Sequence, residues 1–319
     1  MKTKIALILC ILISGNIFAQ KNWDNYNFEK ENKRKVTVKS SSAKSLKTNK
    51  SLIARYEIGQ AIFMKGTQRS SRSSDLFSKI SLGGLNNENY QKMVDELYLE
   101  FEKELTNIGL KLTKGEDVIT TKTAQKYIKK NKDHFFIGNI GNKTITEGKK
   151  KRTEGSIPKY PVGAVLRDVK FQPTNKIVYY TDNVLQNGLM NQNMTTKENV
   201  NLITAQYFVT FASFDGGKGY KKITLSTKPI LAVGVKFTIM TPGAKMVYII
   251  YDKLPIWGSS NWSKGIVETK DNQGMSTLLG LARSSGYAVE ANSNVFLNEV
   301  KTIISALQKD IIKAIKQEI

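Results

Sequence analysis

The chain is almost without cysteine: of its 319 residues only Cys10 carries a thiol, and it sits in the first apolar run. If that run is lost on export, the mature chain has none, which excludes disulfides, thiolate nucleophiles and cysteine-held zinc or iron–sulfur centres. The residues before Cys10, Leu7-Ile8-Leu9, lack the small residue that a lipid-attachment cysteine follows. An exported chain without disulfides must rest on its core, and about 270 foldable residues suffice for one.

Histidine is nearly as scarce. His134, in Lys132-Asp133-His134-Phe135-Phe136, is the single one. It cannot build a multi-histidine metal site, although a carboxylate-rich site stays open. As the base of a serine or threonine nucleophile it would need a carboxylate orienter. Asp133 adjoins it, but neighbours along a strand point to opposite faces. His134 therefore reads as structural or exposed, and no metal or cofactor is expected.

Long apolar runs are also missing. The exception, Ile5 to Ile13, is too short to span a bilayer. Lys2 and Lys4 precede it, and Asn16-Ile17-Phe18-Ala19-Gln20 ends it with a small residue. This charged, apolar, small-residue order is that of a secretory signal peptide over residues 1–20, cleaved near Ala19 and Gln20. The expected location is periplasmic or extracellular, with no transmembrane helix.

Acidic residues are few: 27 Asp and Glu stand against 49 Lys and Arg, a net charge of +22. Such a surface attracts polyanions without sequence specificity. Outside the cytoplasm these are anionic lipids, lipopolysaccharide, acidic glycans and extracellular DNA. A lysine-rich, asparagine-rich composition is equally the habit of low-GC bacterial genomes.

Residues 21–50 hold many basic residues and no apolar periodicity, and read as a disordered tether. A basic arm gripping an anionic surface, helped by Trp23 and Tyr26, is the alternative. A single α+β domain is expected over 51–319. Leu52 to Met64 and Leu76 to Leu82 read as strands. Asn87 caps a helix over 87–108 whose apolar stripe runs Tyr90, Met93, Val94, Leu97, Tyr98, Phe101, Leu105 and Ile108, and Gly109 marks its stop. A short strand at Leu110-Lys111-Leu112 and a helix over Thr120 to Lys130, with Ala124, Tyr127 and Ile128 inward, follow.

Residues 138–200 read as a polar, basic insertion with a short strand at Ile177-Val178-Tyr179-Tyr180 and a polar stretch from Asn183 to Asn199. Its densest charge, Lys149, Lys150, Lys151 and Arg152, is either a solvated loop or an anion-binding site. A β-meander is expected next, over Val200 to Phe214, Tyr220 to Thr227, Ile230 to Met240 and Lys245 to Asp252. Its turns are expected at Asp215 to Gly219, Lys228-Pro229 and Thr241-Pro242-Gly243. A helix over 294–315, capped near Asn294, closes the chain. Its stripe of Phe296, Val300, Ile303, Ile304, Leu307, Ile311 and Ile315 reads as core, with membrane-surface binding as the alternative. The fold class is thus α+β, an antiparallel-rich sheet or meander packed against two long helices.

Catalytic motifs do not fit. Gly148-Lys149 lacks P-loop spacing, and Gly216-Gly217-Lys218-Gly219 joins strand to strand rather than strand to helix. Ser41-Ser42-Ala43-Lys44 and Thr181-Asp182-Asn183 echo penicillin-binding enzymes without the third motif. The sequons at Asn142, Asn193 and Asn261 mean little in a bacterial protein. Glu96, Glu100 and Glu104 lie four apart on the polar side of the long helix and read as solvated charges rather than a glycosidase pair.

The order formed by the export signal, Leu52–Met64, Asn87–Ile108, Gly109-Leu110-Lys111-Leu112, Thr120–Lys130, Leu202–Phe214, Ile230–Ile256 with Trp257, and Asn294–Ile315 resembles a periplasmic α/β module. That module is shared by the curli-secretion lipoprotein and the penicillin-binding-protein activators. The resemblance covers most of 52–315 and implies that family's fold, with no functional residue carried over. This chain departs from it in lacking a lipid-anchor cysteine and in carrying the 138–200 segment.

The sequence-level expectation is an exported, non-enzymatic cell-envelope protein that binds or organises another envelope component. Its partner would be an envelope protein or an anionic envelope polymer, with no specific nucleic acid. The alternatives are a hydrolase of an envelope polymer and a polyanion-binding module. A cleft with converging carboxylates would favour the hydrolase, and a flat face with an exposed apolar patch would favour binding.

Overall fold

The computed structural model describes residues 36–40, 45–68, 75–130, 143–146, 164–174, 176, 184–218, 223–243, 245–251, 254–269 and 282–319. In chain order, β1 (Val36–Ser40) and the helical turn α1 (Ser45–Thr48) lead into the long β2 (Lys50–Gln68) and β3 (Asp75–Gly83). Then come α2 (Asn87–Asn107), β4 (Lys111–Leu112), α3 (Gly115–Ile119) and α4 (Lys122–Lys130). They are followed by β5 (Lys143–Thr146), β6 (Ala164–Phe171) and α5 (Val184–Lys197). The last part holds β7 (Val200–Lys218), β8 (Ile223–Thr241), β9 (Lys245–Tyr251), β10 (Ile256–Trp257), β11 (Ser263–Thr269), β12 (Ala282–Ala291) and α6 (Ser293–Glu318).

All strands join one mostly antiparallel sheet in the order β1-β9-β8-β7-β2-β3-β12-β11, with β6 on the other edge of β2. β7 lies parallel to β2 and β12 parallel to β3, so the β7-β8-β9 meander sits beside crossovers. The class is α+β, as the periodicities imply. No helix among the described residues is long and apolar enough to cross a membrane.

The long helices cover one face. Asn86, not Asn87, caps α2, its Oδ1 accepting from Asn89 N at 2.9 Å. Gly109, at φ +94°, ends it, and Leu110 N reaches back to Leu105 O at 3.2 Å. Asn292, two residues before the expected position, caps α6. Every residue of the expected α6 stripe is buried, from Phe296 to Ile315, so that face is core. Tyr56 anchors the centre, edge-on to Tyr98 at 5.3 Å and beside Tyr207 at 5.7 Å. Its hydroxyl accepts from Gln308 Nε2 at 2.7 Å, and the same amide group donates to Leu97 O at 3.3 Å, so one side chain joins α6, α2 and the sheet. Lys301 to Glu96 at 2.7 Å and Ser305 to Glu100 at 3.4 Å clip the two helices together outside.

A register shift in β2 between Ile53 and Arg55 marks a bulge. It changes the phase of the strand, so Ile53, Tyr56 and Ile58 reach the main core while Leu52 and Ala54 reach the other face. There they meet Val118, Ala124, Met190, Met194, Val200 and Leu202 in a second, smaller core under α3, α4 and α5.

Several expectations need correction. The tether reading of 21–50 does not hold for its end. β1 pairs with β9 from Val36 opposite Tyr251 to Ser40 opposite Val247, and Leu46 is fully buried. Residues 21–35 lie outside the described set. Within the expected 138–200 insertion, the described residues form β5, β6 and α5 and so belong to the fold. β6 pairs with β2 along Ile58–Lys65, and most of the polar stretch 183–199 is the helix Val184–Lys197, whose Met190 and Met194, one turn apart, are both buried. Lys228-Pro229 is no turn: β8 runs through it, with Pro229 opposite Ala212 just past a bulge that absorbs its missing N–H. β7 extends through the expected turn to Lys218. The helix expected over Thr120 to Lys130 is α4, beginning at Lys122, and the short α3 before it was not expected. The expected strand at 177–180 lies outside the described residues, as does His134.

Candidate functional site

Three places gather polar chemistry. The first is a cleft of about 170 Å³ at the C-terminal end of α2, lined by Tyr98, Glu102, Thr113, Lys114, Glu116 and Lys176. Two carboxylates share it, the pattern that a hydrolase would need. Glu102 is engaged, however: Lys176 Nζ donates to it at 3.4 Å and the Tyr98 hydroxyl at 3.4 Å, while Lys176 lies over the Tyr98 ring. Burial, and then the charge of Glu102, raise the Tyr98 phenol well above its ordinary value, so it stays protonated and is a poor proton donor. The volume lies below the roughly 300–1,000 Å³ of small-molecule sites. A second hollow of about 350 Å³ lies between α2 and α6, and its one carboxylate, Glu96, is held by Lys301. That contact keeps the Glu96 carboxyl below its usual value.

The third place is a charged patch on the sheet face away from the long helices. Glu57, 1 % exposed, receives Arg55 Nη2 on both oxygens at 3.0 Å and Gln172 Nε2 at 3.3 Å, with Lys170 Nζ at 4.0 Å. With its amide oxygen turned toward Arg55, Gln206 accepts from Nη2 at 3.0 Å and Nε at 3.1 Å. Opposite Gln206 on β8 stands Lys236, whose ammonium is pushed below its ordinary value by burial and then by Arg55. Strand geometry builds the patch, since Arg55 and Glu57 are two apart on β2, β7 pairs alongside them, and Gln172 follows the end of β6, which pairs with β2 from Ile58 onward. Glu57 is surrounded by donors, so this is a positioning network rather than an acid–base site. The signal was present in the sequence as Arg55 and Glu57 inside an otherwise apolar strand.

Glu299 stands apart, buried on α6. Both the backbone N–H and the hydroxyl of Ser259 donate to it, the latter at 2.8 Å, and a Cβ at Gly258 would collide with its Oε1. Desolvation raises its carboxyl to about 7, against the pull of the Ser259 donors. Ser259 also accepts from Trp262 Nε1 at 2.9 Å and from Leu231 N at 3.0 Å, so Glu299 pins the β10–β11 connection to the core.

The expected anion-binding residues Lys149, Lys150, Lys151 and Arg152 lie outside the described residues. Their flanking strands are described, with β5 ending at Thr146 and β6 beginning at Ala164. Among the described residues no three His, Cys, Asp or Glu side chains come together as metal ligands. No family model matches the chain, and no curated protein or solved structure is significantly similar to it.

Proposed function

We propose that this is an exported, non-enzymatic envelope protein that holds an anionic envelope component against one end of its sheet. The observation that supports this reading is the direction of the strands. β2, β5, β7 and β11 all run one way, and β3, β6, β8 and β12 run back. The four connections that join them therefore start and finish at the same end of the sheet.

The sequences of those connections are basic. They carry Arg69 and Arg72; Lys149, Lys150, Lys151, Arg152 and Lys159; Lys221 and Lys222; and Lys270. Against them stand only Glu147, Glu154 and Asp271. Cations on connections that leave and rejoin the sheet at one end would give an additive attraction to a polyanion that weakens with salt. The connections differ in sequence and length, which suits a charged surface better than one shaped small molecule.

Co-sedimentation of residues 20–319 with vesicles of anionic or neutral lipid, and retention on an anionic polysaccharide resin, test this. Binding should need the anionic partner and fall steeply with salt. Changing Lys149, Lys150, Lys151 and Arg152 together to Ser should weaken it with no change in the thermal midpoint. Binding that ignores salt, or survives the four changes undiminished, would remove the proposal.

A further inference from the structure

The residues that follow β6 lie along one row of α2. Gln91 Nε2 donates to Gln172 O at 2.7 Å, and Asp95 accepts from Thr174 N at 2.7 Å and from its hydroxyl at 2.8 Å. Lys176 then ends over the Tyr98 ring, with Nζ 3.4 Å from Glu102. Residues 91, 95, 98 and 102 stand four, three and four apart, so they share one side of the helix. The first two attachments are short and firm. The last is loose: Nζ is 5.1 Å from the ring centroid, and the Lys176 and Glu102 side chains are 38 % and 34 % exposed. An ion pair so placed adds little to stability and is readily exchanged.

What the tip of this segment occupies has the make-up of an ammonium site. The Tyr98 ring offers an electron-rich face, Glu102 a carboxylate beside it, and Glu116 on α3 a second carboxylate lining the same cleft. Glu116 is exposed, and no cation among the described residues pairs with it. The charges of both glutamates reach the Tyr98 phenol. Lys114 is the other cation lining the cleft, so with Lys176 withdrawn two carboxylates face one ammonium. The neighbourhood also reverses the balance of the chain. Residues 87–117 hold eight Asp and Glu against four Lys, in a protein of net charge +22.

We infer that this cleft receives a primary alkylammonium group, from the lysine side chain of a partner protein or from a free amine, and that Lys176 fills it as an internal ligand until one arrives. Entry of the ligand exchanges one ammonium for another beside Tyr98, Glu102 and Glu116, while Gln91 and Asp95 keep the segment on α2. Withdrawal of the Lys176 side chain, which itself lines the cleft, makes the room. The fraction of molecules with Lys176 in place lowers the apparent affinity of any competing amine. The cleft lies at the C-terminal end of α2 and does not depend on the anion binding proposed above.

Backbone amide shifts of Thr113 and Gly115 in residues 20–319 test this, in titrations with n-butylammonium, cadaverine or Nα-acetyl-lysine methylamide at constant ionic strength. The Lys176→Gln variant should bind the amines saturably with a Kd in the millimolar range, and the parent about threefold more weakly or worse. 1-Butanol, uncharged and of the same length, should shift neither. Adding Glu102→Gln to Lys176→Gln should weaken amine binding about threefold or more. Tighter binding of the lysine derivative than of cadaverine identifies a partner's side chain as the ligand, and the reverse order a free diamine. Thermal midpoints should change little, because both substituted side chains are about a third exposed. In the parent itself, excess n-butylammonium should move the Lys176 Cε resonance to that of a free lysine. No saturable shift in Lys176→Gln, an equal response to 1-butanol, binding indifferent to both substitutions, or a Lys176 resonance that the amine leaves unmoved would overturn the inference.

Discussion

Glu299 shows how one residue ties stability to pH. Its carboxyl has an ordinary value of 4.5 and about 7 in the folded protein, so between those values the folded state holds a proton that the unfolded chain has released. Stability is therefore fully present below about 4.5 and declines as pH rises through 7, by up to roughly 3 kcal/mol. Glu299→Gln keeps an acceptor and a donor for Ser259 but cannot ionise. Denaturant midpoints measured from pH 4.5 to 8 should fall with pH in the parent, and that component should vanish in the variant. An unchanged pH dependence would mean that the Ser259 donors hold the carboxylate as well as the acid. Glu57 is the opposite case, a buried carboxylate met by Arg55, Gln172 and Lys170, where removing one partner would leave charge uncompensated.

Among the elements, those with a one-sided environment were legible in the sequence. α2 and α6 pack one face on the sheet, so their stripes appear at helical spacing. β7 alternates Ile203, Ala205, Tyr207, Val209 and Phe211 into the main core and was read correctly in type and start, although it runs on past Phe214 to Lys218. β6 was missed because Asp168 and Lys170 break its apolar pattern, although Asp168 is buried and Lys170 approaches Glu57. The charges mark a polar inner face, not solvent. β11 has no alternation to read, since both its faces are exposed. β1 is short and flanked by lysines, so its apolar Val36 and Val38 passed for tether. Its role is measurable: deleting residues 21–35 should leave thermal unfolding unchanged, whereas deleting 21–48 should lower the midpoint by more than about 5 °C. The longer deletion removes the β9 partner and the fully buried Leu46. Equal midpoints for the two deletions would return β1 to the tether.

At the scale of the whole molecule, the sheet has one end where four connections turn and an opposite end with different chemistry. The opposite end holds the α2 stop at Gly109 and the Thr241-Pro242-Gly243 turn between β8 and β9. The polarity of the strands, not any cavity, is what distinguishes the two ends, and strand direction cannot be read from composition or from a local run. The Lys149–Arg152 cluster was visible in the sequence; that the strands flanking it meet their connection at the same end of the sheet as those flanking 69–74, 219–222 and 270–281 was not. Hydrogen exchange of residues 20–319, with and without anionic vesicles at low salt, tests this directly. The account predicts slowed exchange at the strand ends flanking those connections, at Thr67–Gln68, Asp215–Lys218 and Glu268–Thr269, with no change at Ile108–Leu110 or Thr241–Gly243. Protection at the opposite end, or along the outer surface of α6 instead, would contradict it.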